Sequence, residues 1–196
     1  DERSLKVERA TVLAESGKVD EGAAELRALG TGDRARETHL ALAQLFEKAK
    51  RYADMGKELD AAEKLSNSTE DKETIHFMRG AMYERMKKFD QSEAEFRKVL
   101  EINPENAGAM NYLGYMLADR AVRLDEAYQL VKKAVDQEPN NGAYLDTLGW
   151  IHYRKNKFED AVNELLRAAQ NLTRPDAIVF EHIGDAYSKL NKIPQA

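Results

Sequence analysis

Leu145-Asp146-Thr147-Leu148-Gly149-Trp150 begins the stretch that decides the fold, and His152, Phe158, Ala161 and Leu165 complete it. Gly149 is followed by a ring three residues on, a small residue nine further and a bulky residue four beyond that. The same order stands upstream, where Gly80 is followed by Tyr83, Phe89, Ser92, Phe96 and Pro104. Four glycines, Gly80, Gly114, Gly149 and Gly184, lie 34, 35 and 35 residues apart. A fixed period in the thirties means one supersecondary unit copied and stacked, rather than a single globular core.

Two further copies lack the glycine. One carries Leu42-Ala43, Phe46, Tyr52, Met55 and Leu59; the first carries Ala10, Leu13, Val19, Gly22 and Leu26. Counted on the small residue of the first helix, Ala10, Ala43, Gly80, Gly114, Gly149 and Gly184 are separated by 33, 37, 34, 35 and 35 residues. Each copy reads as two antiparallel helices, A and B, with one apolar stripe each at i, i+3, i+4 and i+7. Tyr83, Phe96, Leu113, Leu148 and Leu165 belong to such stripes. A mid-helix glycine costs about 1 kcal/mol against alanine, so the recurring glycines predict close A–B contacts. Pro104 and Pro139 stop the preceding B helices, and Asn103-Pro104 and Glu138-Pro139 read as turns into the next copy.

These residues, in this order and period, resemble the tetratricopeptide repeat. The resemblance implies an all-α fold: a right-handed α-solenoid of antiparallel helix pairs, of about five and a half repeats. The expected repeats are 3–32, 36–70, 73–106, 107–141, 142–176 and a truncated 177–196, forming one array over 1–196. Leu29-Gly30-Thr31-Gly32 should shorten the first B helix, and the amino-terminal end should fray first. The chain starts at Asp1 without methionine, and Ala196 aligns with the small residue early in a B helix. The expectation is a piece of a longer protein.

A finer resemblance covers residues 107–190. Leu113-Gly114-Tyr115-Met116-Leu117-Ala118-Asp119-Arg120, then Arg123-Leu124-Asp125-Glu126-Ala127, and later Glu181-His182-Ile183-Gly184-Asp185 are similar to large bacterial tetratricopeptide proteins of the cell envelope. Some of these are lipoprotein adaptors of carboxyl-terminal processing proteases. That resemblance implies a bacterial source, a scaffold role and a periplasmic or envelope location, with the cytoplasm as the alternative.

Composition narrows the chemistry. Charged residues are 33%, apolar residues 42% and net charge −5. No Lys/Arg block is long enough to track a phosphate backbone, which argues against nucleic acid. No run of 18 apolar residues is present to span a membrane. There is no cysteine, hence no disulfide and no thiolate metal site. His39, His76, His152 and His182 lack the spacing that sets two imidazoles on one helix face for zinc. His152 holds the ring position of its copy, and His182 reads as a surface or interhelix residue. Nucleophile-elbow, phosphate-loop and dinucleotide motifs are missing. Neither catalysis nor a cofactor is expected.

In the tetratricopeptide class the A helices line a concave groove. The resemblance places four groove positions at three before and one, four and five after the small residue. They fall on Phe77, Ala81, Glu84 and Arg85; on Asn111, Tyr115, Ala118 and Asp119; on Asp146, Trp150, Tyr153 and Arg154; and on Glu181, Asp185, Ser188 and Lys189. The partner-binding candidates are Asn111, Tyr115, Asp119, Asp146, Trp150, Tyr153, Arg154, Glu181 and Asp185. Trp, Tyr and Arg dominate protein recognition energies, and the carboxylates would favour a segment bearing Lys or Arg. In the competing reading Trp150 packs between A helices and the acids are a solvated face. A chaperone-tail clamp is argued against: Glu8, Ala41, Met78, Tyr112, Thr147 and His182 stand where it needs asparagine. The function expected is a protein-binding scaffold. The alternatives are a self-associating module or the regulatory arm of an enzyme lying outside this chain.

Overall fold

The structure is a computed structural model that describes residues 2–30 and 34–191. Among these residues there are eleven α-helices and no strand. The chain divides into two compact units, Asp1–Ile102 and Asn103–Ala196. The first holds α1 (Glu2–Glu15), α2 (Val19–Leu29), α3 (Ala35–Lys48), α4 (Tyr52–Lys64), α5 (Thr69–Arg85) and α6 (Phe89–Ile102). The second holds α7 (Ala107–Asp119), α8 (Leu124–Gln137), α9 (Gly142–Arg154), α10 (Phe158–Asn171) and α11 (Ala177–Lys189). Within each unit every A helix but α11 packs on the B helix that follows it, and α2, α4, α8 and α10 pack on the next A helix. This is the all-α class expected, with helix pairs stacked as in an α-solenoid.

Local chemistry explains each start and stop. The A helices α5, α7, α9 and α11 begin at side-chain caps: Ser68, Asn106, Asn141 and Asp176 accept backbone N–H groups of Asp71, Ala109, Ala143 and Ile178 at 3.1, 2.7, 3.1 and 2.9 Å. Each A helix ends in a left-handed residue, seven after its small residue: Gly17, Lys50, Lys87, Ala121, Asn156 and Asn191, with φ of 53 to 86°. The next N–H then reaches back across the turn. Lys18 donates to the Leu13 carbonyl and Arg51 to Phe46, both at 2.8 Å; Lys88 donates to Tyr83, Val122 to Leu117 and Lys157 to His152, each at 2.9 Å. This closure satisfies carbonyls left over at the helix end. The B helices α6 and α8 stop at Ile102 and Gln137, two residues before their prolines. The first B helix, α2, is the shortest at 11 residues and ends against Gly30; Thr31, Gly32 and Ala196 lie outside the described residues.

The recurring glycines mark where A meets B. A Cβ at Gly80 would come within 2.9–3.0 Å of the Phe96 ring, and one at Gly149 within 2.6 Å of Leu165 Cγ and 3.2 Å of the Ala161 carbonyl oxygen. At Gly114 it would press into Val131 and the Ala127 carbonyl. In the first copy the roles swap: Ala10 is on the A helix, and Gly22 of α2 lies against its carbonyl. Gly184 departs from the expectation. Nothing stands within 4 Å of a Cβ there, because the described residues contain no helix packed on that side of α11. Phe180 on the same side is 54% exposed, whereas Leu145 and Met110, its equivalents in the two preceding copies, are 0% and 1% exposed.

Candidate functional site

The sequence candidates all fall in the second unit, on α7, α9 and α11. Steps of three and four put Asp146, Trp150, Tyr153 and Arg154 along one side of α9. At their centre is an aromatic stack. Trp150 lies flat on Tyr153, centroids 4.9 Å apart and planes 8° apart, and flat on His182 of α11, at 4.2 Å and 14°. Tyr153 meets Phe158 edge-on at 5.6 Å. His182 Nδ1 and Asp146 Oδ1 are hydrogen-bonded at 2.9 Å, which fixes the imidazole over the indole. The Arg154 guanidinium stands 5.6 Å from the Trp150 ring, and one of its N–H groups donates to the Asp119 carbonyl at 3.3 Å. Such stacked and cation–π contacts contribute roughly 0.5–1.5 kcal/mol each beyond burial.

The structure thus brings Asp119, Asp146, Trp150, Tyr153 and Arg154 together, with His182 as the joint. Trp150 is buried, at 9% exposure, and takes the packing role between A helices. Its indole Nε1 and the Asn111 Oδ1 are both buried without a hydrogen-bond partner among the described residues. Tyr115, Tyr153 and Arg154 are half-buried, while Asp119, Glu181 and Asp185 are exposed. Glu181 and Asp185 sit on α11 apart from the stack, and Asn111 and Tyr115 on α7. His182 is the residue that sequence reasoning underused. Its place two before Gly184 holds Tyr112 and Thr147 in the preceding copies, and only the alternation of ring and small polar residue there could have drawn attention to it.

His152, at the ring position, is buried and meets Tyr128 edge-on at 5.5 Å. Burial holds its imidazole below the usual histidine range, and Asp160 at 3.9 Å only partly opposes this. No group of three or more His, Asp or Glu side chains suited to a metal occurs among the described residues. No described helix is long and apolar enough to cross a membrane.

Comparisons with known proteins agree with the fold. Residues 77–144 match the tetratricopeptide repeat model. The chain is 33% identical over 180 residues to a TPR repeat-containing protein of Pseudomonas aeruginosa, covering 89% of this chain and 29% of that one. It therefore spans less than a third of that relative's length. Among solved structures, PilW, a widely conserved type IV pilus biogenesis factor, superposes with a TM-score of 0.77 at 15% identity, over 98% of this chain and 88% of that one. YrrB, a TPR protein with an unusual peptide-binding site, gives 0.62 at 17% identity over 90% and 89%. At such identities the two structures establish the fold alone.

Proposed function

We propose that this chain, built of tetratricopeptide repeats and so related to interaction scaffolds, holds a segment of another protein against the A-helix face of its second unit and catalyses nothing itself. One observation carries the reading. Half-buried Tyr153 and Arg154 belong to a stack locked by Asp146 and His182, with half-buried Tyr115 and exposed Asp119 on α7 and exposed Glu181 and Asp185 on α11, the A helices on either side of α9. Rings held in place lose little entropy when they bind, and tyrosine and arginine are the residues that dominate recognition. The carboxylates favour a partner segment bearing Lys or Arg. In this reading the five helix pairs and α11 form one array. An adaptor role in a bacterial envelope rests on the likeness of residues 107–190 to such adaptors.

The test is affinity capture on the immobilised chain, with Tyr115→Ala beside the wild type and circular dichroism as the fold control. Tyr115→Ala should lose the captured protein while keeping its helix content. Undiminished capture would overturn the assignment of this face. Trp150→Ala makes a poor probe, because removing a buried tryptophan costs about 3–5 kcal/mol of stability.

A further inference from the structure

Each unit contains a cleft at the A–B turns, and the two clefts use equivalent positions of the repeat. In the first unit Glu47, Lys48, Lys50, Tyr52 and Arg85 line about 360 Å³. In the second, Ala121, Tyr153, Arg154, Asn156, Phe158 and Lys189 line about 210 Å³. Glu47 and Tyr153 stand four residues after the small residue of their A helix, Lys48 and Arg154 five, Lys50 and Asn156 seven, and Tyr52 and Phe158 nine. Arg85 and Lys189 stand five after the small residue of the next copy. Successive copies therefore each contribute a cation, and the intervening turn contributes a ring.

We propose that the cleft of the second unit binds an acidic peptide segment, with a carboxylate between Arg154 and Lys189 and an adjacent apolar side chain against Phe158 and Tyr153. No carboxylate lines this cleft. Among the described residues Lys189 has no hydrogen-bond or salt-bridge partner, while Arg154 is held by Trp150 and the Asp119 carbonyl with further N–H donors in hand. A carboxylate would complete the guanidinium's donor set with charge-assisted bonds. The first unit's cleft is the weaker relative. Glu47 lies within it, 3.9 Å from Arg85, and Lys48 is 3.4 Å from Glu15. A phosphodiester strand is disfavoured, because the cleft offers only two cations, Arg154 and Lys189, beside two rings, which suits one carboxylate and an apolar side chain rather than a charge at every unit of a polymer. Tyr153 and Arg154 are shared with the scaffold reading, on which this proposal partly rests, but Lys189 and Phe158 belong to the cleft alone and Tyr115 to the scaffold face alone, so variants at Lys189 and Tyr115 distinguish the failure of one from the failure of the other.

Trp150 is the chain's one tryptophan and lies beside Arg154, so its fluorescence reports on the cleft. The probe is a blocked pentapeptide, Glu-Phe-Glu-Phe-Glu, with Gln-Phe-Gln-Phe-Gln as the neutral control and calorimetry as a second readout. The acidic peptide should saturate the signal and bind about tenfold or more tighter than the control, the worth of one charge-assisted contact. Added salt should weaken it. Lys189→Gln should cost the acidic peptide about tenfold, leave the control peptide unaffected and leave the melting temperature unchanged. Tyr115→Ala should not alter peptide affinity, which separates this site from the scaffold face. Equal affinity for the two peptides, no saturable binding by either readout, or a silent Lys189→Gln would overturn the proposal. So would tighter binding of a thymidine oligonucleotide, which would assign the cleft to a phosphate polymer.

Discussion

Four residues before the small residue of the A helix, the first unit carries His39 and His76, and each pairs with a glutamate 19 residues later, Glu58 and Glu95, at 2.6 Å. At the same row the second unit carries Met110 and Leu145, both fully buried. The first unit adds Arg79, buried and bridged to Asp60 and Glu63 at 2.8 and 2.7 Å; the second adds the tryptophan stack. One backbone register thus accepts a polar or an apolar row. Apolar burial contributes roughly 25 cal/mol per Å², whereas a buried ion pair returns little beyond its desolvation cost. The comparison teaches that the period resides in the small residue and its facing helix, while the row beside it sets how much stability each unit has.

The sharpest way to break this is at two glycines of identical sequence position. Gly149→Leu drives a side chain into Leu165 and the Ala161 backbone and should cost about 3 kcal/mol or more. Gly184→Ala meets none of the described residues and should gain up to about 1 kcal/mol from helix propensity. Thermal or urea melts check both, and equal effects would mean that the register is wrong.

Next comes the polar row. His76→Leu strips Glu95, which is nearly buried, of one of its two partners and leaves Lys98 at 2.9 Å. The expected loss is about 2 kcal/mol. Adding Glu95→Leu should restore most of it by making the row resemble that of the second unit. A double variant as weak as the single would show that the pair does more than fill space.

The smallest effect is in pH. Burial depresses the His152 imidazole, so the unfolded chain takes up its proton first. That contribution to stability is complete above the ordinary histidine pKa near 6.5 and is lost as pH falls below it. In the first unit, desolvation alone would raise Glu95, but hydrogen bonds from Lys98 and His76 outweigh it, and Arg79 lowers Glu63. Their contributions persist until pH falls below the ordinary 4.5 of a glutamate. Hydrogen exchange followed from pH 8 to 4 should therefore show the second unit loosening first, and His152→Phe should abolish that earlier step.

The repeat was legible because copying multiplies each signal. Gly80, Gly114 and Gly149 pointed to the A–B contacts, and Pro104 and Pro139 to the ends of α6 and α8, that the structure shows. Partner rows were harder. Trp150 could be read as a groove anchor or as packing, and what decides it is His182, a residue of the following copy that no single-copy pattern contains. The His–Glu pairs were hidden for the same reason, since a separation of 19 residues matches no helical period. The stops of the A helices left only a partial mark: Gly17, Asn156 and Asn191 are residues that take a left-handed turn readily, while Lys50, Lys87 and Ala121 adopt the same conformation with nothing to signal it.

Those left-handed residues carry a standing tax. A side chain held at positive φ gives up about 1 kcal/mol that glycine would spare. Lys50, Ala121 and Asn156 nonetheless occupy positions that border the two clefts. A designer seeking a hardier molecule would place glycine at all three, and in doing so would erase an amine and an amide from the rims. Thermal robustness and rim chemistry compete for the same few atoms in this chain.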